Sequence, residues 1–178
     1  MIHQAARNMA VAELGETEWE ALAARNALSS QHFIGVDYYS DAETLSLVSL
    51  IAKRLDLPME RTLYEFGRHW VAFAEASAYG RVLQMAGSDL ESFIENLDRM
   101  HASIKSNMPL ASLPSFRVLD SDPRTIQVLY VSERDGLAPF VQGILSAIAE
   151  RFGEPVMIDY ELKEGGVVFE IARIADGA

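Results

Sequence analysis

The chain has 178 residues, 49% of them apolar, and sets 15 Lys and Arg against 26 Asp and Glu for a net charge of −11. That length fits one domain or two closely packed lobes, and the apolar fraction fills a core, which excludes disorder as the main state. The acidic balance speaks against nucleic-acid binding and against attachment to an anionic membrane, and the lack of cysteine excludes disulfides, thiolate zinc sites, iron–sulfur clusters and cysteine nucleophiles.

The first two-thirds of the chain reads as helices. From Ala5 to Ala24, Met9, Ala12, Trp19, Leu22 and Ala23 recur at helical spacing, interrupted by Gly15. Gly35 to Tyr39 is a connector, and Ser40 with Glu43 matches a capping box. Behind it Leu45, Val48, Ile51, Ala52 and Leu55 form one stripe. Pro58 opens the next helix, where its missing N–H costs little, and Leu63, Phe66, Trp70 and Phe73 share one side of it. Gly80 and Gly87 punctuate short pieces, and Asp89 begins a long amphipathic helix that reaches Lys105.

The last third changes period. Phe116 to Leu119 and Thr125 to Glu133 read as strands joined by a turn at Asp120 to Pro123. Pro139 to Arg151 returns to helical spacing and Gly153 terminates it. Val156 to Leu162 and Val167 to Ile174 alternate around Lys163-Glu164-Gly165-Gly166, a hairpin signal. Helices followed by an antiparallel sheet predict an α+β fold without βαβ units. No apolar run reaches the length of a spanning helix and no signal-peptide layout is present, so a cytoplasmic location is expected.

Two features carry chemistry. Of His3, His32, His69 and His101, only His101 sits in the long amphipathic helix, on an apolar face with Phe93, Ile94, Leu97, Met100 and Ile104. A titratable ring there must be neutral and partnered: either a core histidine bonded to a backbone carbonyl or an axial metal ligand. Spacing does not decide between them. The second feature is Tyr130-Val131-Ser132-Glu133-Arg134. On a strand, Tyr130, Ser132 and Arg134 project from one face and converge donors on an anionic oxygen, unless they are simply a solvated edge. The remaining acidic side chains read as surface, and no GxGxxG, P-loop, G-x-S-x-G or HExxH is present, so hydrolase and nucleotide-enzyme readings start low.

Further segments accompany these: His32-Phe33-Ile34-Gly35, Tyr39-Ser40-Asp41, Phe66 to Val71, Tyr79-Gly80, Met85-Ala86-Gly87, Glu95 to Ala102, Pro114-Ser115-Phe116 and Gly136 to Pro139. In this order and spacing the chain resembles the haem nitric oxide/oxygen binding (H-NOX) family, which includes the haem domain of soluble guanylate cyclase, from Ala5 to about Ile174. The resemblance implies a single domain over 1–178, with a distal helical subdomain over 1–65 and a proximal, sheet-bearing subdomain over 66–178, and haem b between them.

It further implies that His101 ligates the iron, that Tyr130, Ser132 and Arg134 hold the propionates, that Pro114 presses on the porphyrin, and that Leu97 and Met100 touch it. Ile2, Trp70, Val71 and Ala74 match positions near the distal pocket. The position occupied by a tyrosine in oxygen-holding members matches Pro139, which has no side-chain donor. A sensor of nitric oxide and CO that discriminates against oxygen is therefore expected, and not an enzyme. In the family nitric oxide binding breaks the Fe–His bond, the haem relaxes, and a partner in trans, a histidine kinase or a cyclic-di-GMP enzyme, reads the shift. The chain departs from the family in beginning a few residues late, which leaves Ile2 almost at the terminus. Two other classes compete with the sensor: a haem-free regulatory interaction module, and a small-molecule-binding domain in which His101 is core.

Overall fold

A computed structural model describes residues 2–25, 41–78, 80–107 and 112–174. The motifs at His32 to Gly35, Tyr39, the capping box at Ser40 and Tyr79 lie outside them. The order is α1 (Ile2–Leu14), α2 (Glu16–Arg25), α3 (Asp41–Leu55), α4 (Met59–Glu75), α5 (Gly80–Met85), α6 (Leu90–Asn107), β1 (Ser115–Ser121), β2 (Thr125–Val131), α7 (Ala138–Phe152), β3 (Val156–Lys163) and β4 (Gly166–Arg173). The fold is α+β.

Local chemistry sets the boundaries. Gly15, at φ +83°, breaks α1 from α2. α3 ends on Asp56 in the left-handed region (φ 54°), and the Leu57 N–H reaches back to the Ala52 carbonyl at 3.0 Å. Pro58 then sets the entry to α4. At the start of α6 the Asp89 carboxylate accepts the Ser92 N–H at 2.8 Å, and Glu154, arriving from the end of α7, accepts the Leu90 N–H at 2.8 Å. Asp122 turns β1 into β2 by accepting the N–H groups of Arg124 (2.6 Å) and Thr125 (2.7 Å).

The strands form one antiparallel sheet in the order β1-β2-β4-β3. Alternation sends Phe116, Ile126, Val128, Tyr130, Phe169, Ile171 and Ile158 to the buried face. α6 covers β1 and α7 covers β3; α7 packs along α4, which also packs on α1 and α3. The core therefore runs continuously from the sheet through α6 and α7 to the N-terminal helices.

Two expectations change. The first helix begins at Ile2 rather than Ala5 and buries His3, whose ring lies 3.0 Å from the Thr44 hydroxyl. Ladder pairing also stops at Val131, where β1 runs out of partner residues at Ser115. Tyr130, Ser132 and Arg134 are thus not three alternating positions of one strand. Tyr130 belongs to β2, while Ser132 and Arg134 lie in the bend that follows it.

A candidate cofactor cavity

Between the N-terminal helices and the α6–sheet layer lies a cavity of about 320 Å³. Its walls are mostly apolar: Leu97 and Met100 from α6, Phe66 and Leu63 from α4, Val48 from α3, and Phe140, Ile144 and Ile148 from α7. α7 contributes this wall because it is apolar nearly all round, with one side on the sheet and another on the cavity. The Phe140 and Phe66 rings meet at a tilt of 39° with centroids 5.0 Å apart.

His101 lines this cavity from α6. Its Nδ1 lies 2.8 Å from the Pro114 carbonyl, which can only accept. Nδ1 therefore carries the proton, and Nε2 keeps its lone pair. Burial pushes the ring's pKa below its usual value, opposed by the Pro114 carbonyl and the Asp98 charge, so the neutral form is favoured. The carbonyl bond and the ligand role are thus not alternatives, because a carbonyl on one nitrogen is what orients the other toward a metal. Asp98, one turn earlier on α6, accepts the Ser115 hydroxyl at 2.7 Å and the Phe116 N–H at 2.8 Å, fixing Pro114 beside the ring. The Phe116 ring lies 6.1 Å from His101 and 5.2 Å from Tyr130.

At one edge the lining becomes polar with Tyr130, Ser132, Glu133, Arg134 and Asp135. Burial raises the Tyr130 pKa, against a hydrogen bond with Ser132 and the Arg134 charge, so the phenol stays protonated. Arg134 Nη1 donates to the Ser112 carbonyl at 2.8 Å, and the Arg134 backbone N–H donates to the Ser132 hydroxyl at 3.0 Å. An apolar slot with one unprotonated imidazole nitrogen in its wall and one edge carrying a guanidinium and hydroxyls fits a flat, apolar, metal-bearing group with carboxylates on one side, which describes haem.

The other expected residues divide. Pro114, Ile2 and Trp70 line the cavity. Val71 and Ala74 are buried in α4 but do not line it. Pro139 is buried in the first turn of α7 and does not line it either; its neighbour Phe140 does. The Trp70 indole N–H is buried without a hydrogen-bond partner among the described residues. Sequence reasoning missed the α3 wall, with Thr44, Leu45 and Val48, and the α7 wall. The all-round apolarity of α7 was the available signal for the second; nothing local marks the first.

The sequence model of a family described as Haem-NO-binding matches residues 1–160. The soluble guanylate cyclase gcy-35 of Caenorhabditis elegans is 30% identical over 154 residues, covering 84% of this chain and 22% of that protein. The guanylate cyclase soluble subunit beta-2 of Rattus norvegicus is 37% identical over 94 residues, or 53% of this chain and 14% of its own length. The chain thus spans about a fifth or less of these relatives. Among solved structures, an H-NOX protein from S. oneidensis in the Fe(II)NO ligation state superposes with a TM-score of 0.84 at 19% identity, covering 97% of both chains.

Proposed function

The chain belongs to the haem-NO-binding family, and from that membership we propose that it is a haem-based sensor of nitric oxide and CO and not an enzyme. The observation that carries the reading is the His101 tautomer: Nδ1–H committed to Pro114, Nε2 available, in the wall of an apolar cavity edged by Arg134. Haem supplies a ferrous centre that takes diatomic gases. His101 would ligate its iron, Tyr130, Ser132 and Arg134 would hold its propionates, and Leu97, Met100 and Pro114 would pack against it.

The distal wall consists of Ile2, Trp70 and Phe140, with Val71 and Ala74 supporting them from α4. Thr44 brings a hydroxyl to the cavity, but that hydroxyl is held by His3. Apart from the unpartnered Trp70 N–H, the described residues of this wall offer bound oxygen little hydrogen bonding, which favours nitric oxide. Were nitric oxide to release His101, α6 would keep only the Asp98 bonds to Ser115 and Phe116 on this side of the cavity among the described residues, and the distal lobe (1–65) and the proximal lobe (66–178) would shift about α4, which spans both. A partner enzyme, a histidine kinase or a cyclic-di-GMP enzyme, reads that shift.

The absorption spectrum of the reduced protein tests this reading. A Soret band that moves to shorter wavelength with nitric oxide is expected, and His101→Ala should lose haem or require added imidazole. A colourless preparation even after hemin addition, or an unchanged spectrum in His101→Ala, overturns the assignment; a stable complex formed in air overturns the gas choice.

A further inference from the structure

The Arg134 clamp and the His101 imidazole, both in the lining of the cavity, are joined by a short stretch of backbone. The Ser112 carbonyl accepts Arg134 Nη1 at 2.8 Å, and the Ser112 hydroxyl donates to Glu133 Oε2 at 2.7 Å. Two residues on, the Pro114 carbonyl accepts the His101 Nδ1–H. The next two residues, Ser115 and Phe116, are pinned to Asp98. Residues 112 to 116 are thus tied at one end to the bend that carries Arg134 and at the other to the helix that carries His101.

We infer that residues 112 to 114 form a strap coupling the anion clamp to the imidazole, with Ser112 and Glu133 as positioning residues that act on His101 through the Pro114 carbonyl. This rests on the proposed roles of Arg134 and His101. Two residues of chain span at most about 7 Å, and Pro114 fixes its own φ, so the strap has little slack. The guanidinium bond is charge-assisted and partly buried, so it carries most of the restraint. The Ser112–Glu133 bond is more exposed, and it supplies the second point that stops the Ser112 peptide from rotating about the first. When Arg134 re-aims at a carboxylate the Ser112 carbonyl moves with it, and the Pro114 carbonyl must follow. Anion binding at Arg134 thereby sets the orientation of the His101 ring.

Solvent exchange of the His101 Nδ1 proton tests the strap by NMR on the full chain, reduced and CO-saturated so that any haem is diamagnetic. Ser112→Ala and Glu133→Ala should each speed exchange about threefold or more, the yield of one modest hydrogen bond. The double variant should match the singles, because both remove the same bond. Glu133→Gln, whose amide oxygen accepts the same hydroxyl, should keep the original rate. Equal rates in Ser112→Ala and the unmodified chain, with thermal midpoints unchanged, overturn the strap; so does loss of protection in Glu133→Gln equal to that in Glu133→Ala. Failure of the haem reading is distinguishable, since it shows as a colourless protein, and the same proton in that colourless chain still decides the strap.

Discussion

At the scale of single residues, the cavity is organised by which polar groups already have partners. His101 is partnered on Nδ1 and Thr44 by His3, while the Trp70 N–H has no partner among the described residues. An unbonded buried donor has given up hydration without return, so removing it relieves a penalty that offsets the loss of indole volume. Trp70→Phe is therefore expected to change unfolding free energy by less than about 1 kcal/mol in chemical denaturation, whereas Trp70→Ala should cost about 3 kcal/mol or more. His69 gives a pH prediction. Burial lowers its pKa below the usual 6.5, with Glu13 opposing, and Nε2 lies 2.9 Å from Asn8 Oδ1. The folded state thus holds this ring neutral where the unfolded chain binds a proton. Its contribution is full above pH 6.5 and declines as the pH falls from there toward the lower folded value. Thermal midpoints between pH 7.5 and 5.5 should fall less for His69→Gln than for the unmodified protein; parallel falls would contradict this.

At the scale of elements, the α4–α7 crossing sets the width of the cavity. Gly67 and Gly143 face each other's helix so closely that a Cβ on Gly143 would collide with the Tyr64 carbonyl, and one on Gly67 with the Phe140 carbonyl. These are backbone atoms and cannot swing aside, so a side chain must push the helices apart. Gly143→Ala is expected to destabilise by about 2–3 kcal/mol, as overpacking does, and to weaken haem retention because Phe66 and Phe140 move with their helices. Calorimetry and hemin titration measure both, and retained stability would show that the crossing has slack. Most elements were legible in the sequence: the α3, α4, α6 and α7 stripes, the Asp122 turn, the Gly153 cap and the final hairpin. The end of β2 was not, because alternation continues through Ser132 and Arg134 although pairing with β1 does not.

At the scale of the whole molecule, the cavity lies within a continuous core, and a ligand bound there should stabilise the fold by linkage. Free hemin at a hundred times its dissociation constant is worth about 2.7 kcal/mol. In a chain of this size that raises the thermal midpoint by roughly 5–10 °C. A rise of that order in the unmodified protein, and a smaller one in His101→Ala, is the expected result; equal midpoints with and without hemin would count against the site.

What the sequence by itself determined was local and periodic: the fold class, the apolar face that carries His101, and the run of donors from Tyr130 to Arg134, though not the bend that holds the last two. These follow from residue types at fixed spacing, which act over a turn of helix or a pair of strand positions. Contacts between elements distant in the chain were decided only by the tertiary structure. It paired His101 with the Pro114 carbonyl and so chose the tautomer, it closed the cavity with α3 and α7, and it put Phe140 rather than Pro139 in the wall. Spacing along a chain constrains which side chains share a face, but what that face meets depends on how the helices cross and where the sheet stops, and no single segment encodes either.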